Sequence, residues 1–237
     1  MIAQMKSNIP IFILISLLTF TLSSCEDGCE TKHIKSYHLI DCYEEWSSFK
    51  FWYSETYDEF GIRFKIDNKY YSSEAQAFWK STQAIKDLEK FYELAVKKED
   101  IGYKWEKDCL PGEFPRYAIH PGITDIMITS DCDYDESHPA GTSLNGIFMM
   151  NYYSYTQFLG NVDHSNVDPT DRCLGATHKS GDAIEEFELS VISPYDFTMR
   201  PKHAPTAWTG KHMITVTLTD ENGEVHTATA ERDFSDR

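Results

Sequence analysis

Near the C-terminus, Ile214, Val216 and Leu218 alternate with Thr215, Thr217 and Thr219. This two-residue period is a strand signature with one face buried, and it restricts the fold more than any other stretch of the chain. Asp220-Glu221-Asn222-Gly223 follows, then Val225 to Ala230. Asn222-Gly223 supplies the positive backbone angles that a tight hairpin requires. A lone hairpin is marginal in water, so further strands must complete a core.

Those strands are visible upstream. Ile34, Tyr37, Leu39 and Tyr43 mark a strand within 33–43, and Phe49, Phe51, Trp52 and Tyr53 mark a second. From Gly61, Ile62, Phe64 and Ile66 alternate with Arg63, Lys65 and Asp67, and Asp67-Asn68 reads as the turn that ends this strand. Further strands are predicted at 117–120, at 123–129 and around Phe187, Leu189 and Val191, before Pro194. Between Ser72 and Asp100 the period changes: Phe78, Ile85, Leu88, Phe91, Tyr92 and Ala95 recur at helical spacing, with Lys97 and Lys98 at the dipole-favoured end. The predicted class is therefore mainly β with one long helix at about 73–98, arranged as an antiparallel β-sandwich on which the helix must lie. Residues 130–145 and 160–182 read as long loops.

The N-terminus carries a different signal. Lys6 precedes an apolar run from Ile9 to Leu22, interrupted by Pro10, Ser16, Thr19 and Thr21. The run falls short of the roughly 20 apolar residues a spanning helix needs, so it reads as an export leader. Leu22-Ser23-Ser24-Cys25 resembles the lipobox of bacterial lipoproteins, which implies acylation of Cys25 after removal of residues 1–24. A multiply acylated cysteine would anchor the chain stably to a membrane. Residues 25–32 then form an acidic tether, and 33–237 a single domain. The tether's Glu26, Asp27 and Glu30 resemble the surface-export signals of Bacteroidota lipoproteins, which implies an outer-membrane protein facing outward. As a solvated linker the same residues leave the leaflet open.

The formal net charge of −16 disfavours nucleic acid, which needs a basic stripe, and electrostatic docking on anionic lipid. The expected membrane link is the lipid itself. With Cys25 acylated, Cys29, Cys42, Cys109, Cys132 and Cys173 remain, an odd number, in a compartment where disulfides form. Spacing leaves the pairing open; Cys109 with Cys132 is the pair we single out.

Ile126-x-Ile128-Thr129-Ser130, Asp133-Tyr134-Asp135, His138-Pro139-Ala140-Gly141, Leu144-Asn145 and the stretch from Lys211-His212 to Leu218 resemble a family of uncharacterised Bacteroidota envelope lipoproteins. The resemblance covers about the second half of the chain. It implies an immunoglobulin-like sandwich and an envelope location, without a catalytic or ligand assignment.

Candidate chemistry is sparse. Asp131, Asp133 and Asp135 alternate as the oxygen ligands of a calcium loop do, but Glu136 stands where glycine is needed and Thr142 where glutamate is needed. Asx turns in a solvated loop explain the same residues. Nine histidines are scattered without a zinc-binding pair on one helix face, and Asp163-His164 with Asp168 and Asp171 would act together only if folding joined them. No cofactor is implied. Tyr152, Tyr153, Tyr155 and Phe158 form the candidate binding surface, for a glycan or a protein, if they are exposed; burial under the neighbouring loop is the competing reading. The function expected is that of a lipid-anchored envelope protein acting by binding or assembly without catalysis. The alternative is a glycan-directed hydrolase using paired carboxylates in a concave pocket.

Overall fold

A computed structural model describes residues 34–36, 38–72, 88–101, 105–107, 116–156, 159, 177–178, 182–183 and 189–235. Its strands, in chain order, are β1 (Ile34–Ser36), β2 (Cys42–Ser54), β3 (Glu59–Ser72), β4 (Trp105–Lys107), β5 (Tyr117–His120), β6 (Ile123–Ser130) and β7 (Phe148–Asn151). They continue as β8 (Tyr153–Ser154), β9 (Thr177–His178), β10 (Asp182–Ala183), β11 (Phe197–Pro201), β12 (Lys211–Asp220) and β13 (Val225–Asp233). One α-helix, α1 (Leu88–Lys97), lies among the described residues. The predicted class, mainly β with antiparallel sheets and one helix, is what the chain adopts. The upstream part of the predicted helix, residues 73–87, and the leader with Cys25 lie outside the described residues.

Among the described residues the strands assemble into a six-stranded sheet in the order β10-β7-β11-β3-β2-β5, a three-stranded sheet in the order β13-β12-β6, and the ribbons β1-β4 and β8-β9. Pairing is antiparallel except between β2 and β5. One hydrophobic core is shared by the two larger sheets. Phe60, Ile62, Phe64, Phe148, Phe197 and Met199 enter it from one, and Ile126, Ile128, Ile214, Val216 and Leu218 from the other. Each such side chain contributes on the order of 2 kcal/mol when fully buried. The hairpin of β12 and β13 pairs residue for residue from Lys211–Asp233 to Thr219–Val225, with Gly223 at φ 81°. Of the two turn residues, only the glycine takes the positive angle.

The strand predicted to end at Asp67-Asn68 instead runs on to Ser72. Asp67 does not turn the chain; its carboxylate accepts a hydrogen bond from the Ser47 hydroxyl on the neighbouring strand, at 2.6 Å. The irregularity lies in the pairing. Between the pairs Glu44–Tyr70 and Trp46–Ile66, β3 holds two extra residues, at the position of Asp67-Asn68, and between Trp46–Ile66 and Ser48–Lys65, β2 holds one. Such a bulge reverses the in-and-out alternation. Trp46 and Phe49, three residues apart, consequently enter the same core.

A second core lies against α1, where Phe91, Leu94 and Ala95 meet Leu39, Ile40, Tyr43, Ala118, Tyr155 and Val191. The helix ends through Glu99, which takes a left-handed φ of 57°, and Asp100, whose amide donates to the Ala95 carbonyl at 2.8 Å. The Asp100 carboxylate then accepts from the amides of Leu39 at 2.5 Å and Ile40 at 3.1 Å and from the Tyr43 hydroxyl at 3.3 Å. Beside it, Asp41 and Arg116 are both buried, and the Asp41 carboxylate accepts from the Arg116 amide at 2.8 Å and from its Nε at 3.2 Å.

Burial pushes the Asp100 carboxyl up to about 6, against the hydrogen bonds that favour its anion. Between the ordinary carboxylate range and about 6, the folded chain retains a proton that the unfolded chain has lost. This group's contribution to stability therefore diminishes as pH rises from about 4 to about 6. Urea denaturation of Asp100→Asn across that window is expected to show the fall removed relative to wild type.

Candidate functional site

The outward side of the six-stranded sheet presents a row of paired positions: Asn151 opposite Thr198, Thr198 opposite Gly61, and Gly61 opposite Trp52. Trp52 is 39 % exposed, on a strand whose neighbours Phe51 and Phe49 point into the core. Its indole lies flat across the backbone of Gly61. A Cβ added there would sit 2.3 Å from the indole Cζ2 atom, so only glycine admits this close approach. The Arg63 guanidinium sits over the same ring, 5.4 Å from its centroid, in cation–π geometry. The indole thus lies between the Gly61 backbone and the Arg63 guanidinium, with 39 % of the residue left exposed.

Two depressions meet at this pair. One, of about 320 Å³, is lined by Trp52, Arg63, Tyr195, Asp196 and Thr198. The other, of about 540 Å³, is lined by Trp52, Arg63, Lys50 and Ala228. Tyr195 is 53 % exposed, and burial together with the Glu44 charge pushes its phenol up to about 12, so it stays a neutral hydroxyl at ordinary pH. Lys50, Arg63, Lys65 and Arg200 are all exposed. They occupy outward positions of this sheet, so a chain with a net charge of −16 turns a basic face outward here.

A polar cluster occupies one end of the molecule, where the C-terminus of α1, the β5–β6 turn and the β12–β13 turn converge. Glu221 accepts from the Lys98 Nζ at 2.7 Å, pairs with Lys97 at 3.3 Å and faces the His120 Nδ1 at 3.1 Å. Burial opposes its anion, but His120, Lys98 and Lys97 outweigh that and hold the carboxyl well below the usual range. Its neighbour Asp220 points elsewhere. One Asp220 oxygen accepts from the amides of Asn222 at 2.7 Å and Glu224 at 3.0 Å, while the other lies 3.6 Å from the His226 Nε2. The His226 ring packs on Trp46 at 4.5 Å between centroids, and the Trp46 Nε1 donates to the Pro121 carbonyl at 2.7 Å.

The tyrosines read from the sequence as a binding surface lie elsewhere. Tyr152 is 2 % exposed and belongs to the inter-sheet core, and Tyr155, 4 % exposed, belongs to the core under α1. Tyr153 is half-buried against that second core. The cause is the segment at 191–193, which pairs with this stretch: the Tyr155 amide donates to the Val191 carbonyl and the Ser193 amide to the Tyr153 carbonyl, each at 2.9 Å. Phe158, Asp163, His164, Asp168 and Asp171 lie outside the described residues.

The aspartates of the 131–135 loop brace backbone instead of converging. Asp131 accepts from the Met213 amide and Asp133 from the Ala140 amide, both at 2.8 Å. Asp135 accepts from the Ser137 amide at 2.8 Å and the His138 Nδ1 at 2.7 Å. Among the described residues these three carboxylates form no common ligand set; the set that does gather is Asp220, Glu224 and His226.

No family model, curated protein or solved structure matches this chain. The geometry of the described residues is therefore the ground for a functional reading.

Sequence reading missed both Trp52 and the paired turn histidines. Trp52 was grouped with Phe49, Phe51 and Tyr53 as one aromatic run, although its even position among odd inward ones marked it as outward. The His120–Glu221 contact joins residues a hundred positions apart, which no local spacing reveals. The cysteine singled out at 132 is also corrected, since Cys132 carries a free thiol; Cys109 lies outside the described residues. Burial, the Asp131 hydrogen bond and the charges of Asp131 and Asp133 push that thiol above its ordinary range. The Cys132 thiol of the folded protein is expected to react with a thiol-directed reagent at pH 8 more slowly than free cysteine. Loss of one slow labelling phase in Cys132→Ser checks this by mass spectrometry.

Proposed function

We propose that this chain is a lipid-anchored protein of the outer membrane, related to the uncharacterised Bacteroidota envelope lipoproteins that its second half resembles, and that it acts by binding and not by catalysis. The anchor is Cys25, freed as the N-terminus when residues 1–24 are removed, with 25–32 as tether. The folded part is an immunoglobulin-like sandwich in this reading, supported by a core shared between a six-stranded and a three-stranded sheet. The lipid supplies the membrane attachment. Among the described residues no helix is long and apolar enough to cross a membrane.

The observation that carries the binding assignment is the exposed indole of Trp52 seated on Gly61 under Arg63. A rigid aromatic surface of this kind accepts the apolar face of a sugar ring when the exposed Arg63 side chain swings aside, and the displaced guanidinium is then placed to bond the ligand. Thr198, Asn151, Asp196 and the neutral Tyr195 hydroxyl surround it with hydrogen-bonding groups, as a pocket that orients a polyhydroxylated ligand requires. Lys50, Arg63, Lys65 and Arg200 favour a saccharide that carries acidic groups.

The hydrolase reading needs two carboxylates flanking one bond, about 5–10 Å apart. The depression beside Trp52 has one, Asp196. Glu89 and Glu93 share a depression on the exposed side of α1, but it is shallow and open, without the water exclusion that such chemistry uses. Binding is therefore the better-supported reading.

Calorimetric titration with acidic oligosaccharides, uronate-containing ones first, is expected to show binding that falls at least tenfold in Trp52→Ala, a loss of about 1.4 kcal/mol or more. Arg63→Ala is expected to weaken binding and flatten its salt dependence. Equal binding by wild type and Trp52→Ala would refute the site. Intact mass measurement of detergent-extracted protein tests the anchor: acyl mass on wild type and none on Cys25→Ala is expected.

A further inference from the structure

We propose that Asp220, Glu224 and His226, at the hairpin turn joining β12 to β13, form a site for a first-row divalent metal ion of the zinc class. One ligand atom from each lies within 4.8 Å of the other two. The set is an imidazole nitrogen with two carboxylates, donors that suit zinc and its neighbours, whereas calcium takes oxygen alone.

The spacing of the two inner ligands favours an ion between them over a direct bond. The Asp220 oxygen and the His226 Nε2 are 3.6 Å apart, too far for a hydrogen bond. Two ligands held at about 2.1 Å from a tetrahedral zinc are separated by about 3.4 Å. The His226 Nε2 is also shut off from solvent and has no hydrogen-bond partner. A buried nitrogen in that state is costly, and an ion between it and the carboxylate satisfies both groups.

The surroundings fix the inner ligands as a metal site requires. Asp220 is 2 % exposed, and its other oxygen is committed to the amides of Asn222 and Glu224, which aims the free oxygen toward His226. Trp46 packs on the imidazole and is itself tied to the Pro121 carbonyl. Glu224 is exposed, giving the ion an entry side and a ligand able to close over it. Three protein ligands leave one tetrahedral position for water or a bound group. Glu221, the other acid of the turn, faces Lys98 and His120 and is not a ligand. The site lies apart from Trp52 and stands or falls independently of saccharide binding.

The test is zinc titration of tag-free, chelator-treated, full-length protein in detergent, in competition with a chromophoric chelator, followed by cobalt substitution. Wild type is expected to bind one equivalent with a dissociation constant of about 10 μM or tighter, and to show the visible absorption of four-coordinate cobalt. Glu224→Gln and His226→Ala are each expected to weaken zinc at least tenfold and to remove the cobalt band. Glu224 is exposed, so Glu224→Gln should melt as wild type does in chelator, and it decides the matter if His226→Ala fails to fold. Absence of wild-type binding up to about 100 μM zinc, or wild-type affinity in Glu224→Gln, overturns the proposal.

Discussion

The arrangement of this molecule depends on one extra residue in β2. Where Trp46 faces Ile66 and Ser48 faces Lys65, the strand gains a residue over its partner, and everything beyond is turned over. Before the bulge, Tyr43 faces the helix while Trp46 faces the inter-sheet core. After it, Phe49 and Phe51 fill that core, and Lys50 and Trp52 look outward. Without the bulge, a lysine and a tryptophan would be directed into a closely packed interior, and the rings of Phe49 and Phe51 would be stranded on the surface.

Buried polar groups hold the irregular parts against this frame. Asp41 with Arg116 fixes the parallel entry of β5 beside β2, and Asp100 ties the end of α1 to the chain leading into β2. At the opposite end of the β2–β3 hairpin, Arg232 bonds Asp58 and lies between the rings of Tyr53 and Phe234, at 4.9 and 4.1 Å. Removing one member of the Asp41–Arg116 pair leaves its partner buried without compensation, at a cost of about 3–5 kcal/mol. These contacts specify loop positions that the apolar pattern leaves loose.

Strand existence was legible where alternation coincided with nearby pairing partners, but the strand predicted around Phe187, Leu189 and Val191 is not one over the described residues from 189, where only Ile192 bridges to Ser154. The alternation from Ile214 to Leu218 and the glycine at 223 gave the C-terminal hairpin, because pairing partners there are adjacent in sequence. Asp67-Asn68 marked a break in the pairing and not a turn: β3 carries two extra residues there and runs on, while Asp67 accepts from Ser47 across the strands. Tyr152 and Tyr155 misled because their cover comes from residues 191–193, distant in sequence and without a strong pattern. The Trp52 surface was half legible: its position in β2 was readable, but its seat on Gly61 required the register between β2 and β3. The ion pairs of the hairpin turn were invisible for the same reason.

The bare backbone at Gly61 leaves the aromatic surface vulnerable from below. What keeps the indole flat is the absence of an atom, so any residue larger than glycine at this position would tilt the ring off the sheet without touching a ligand. Descendants of this chain can thus lose the surface through a substitution on the partner strand. A survey of their tryptophans alone would not reveal it.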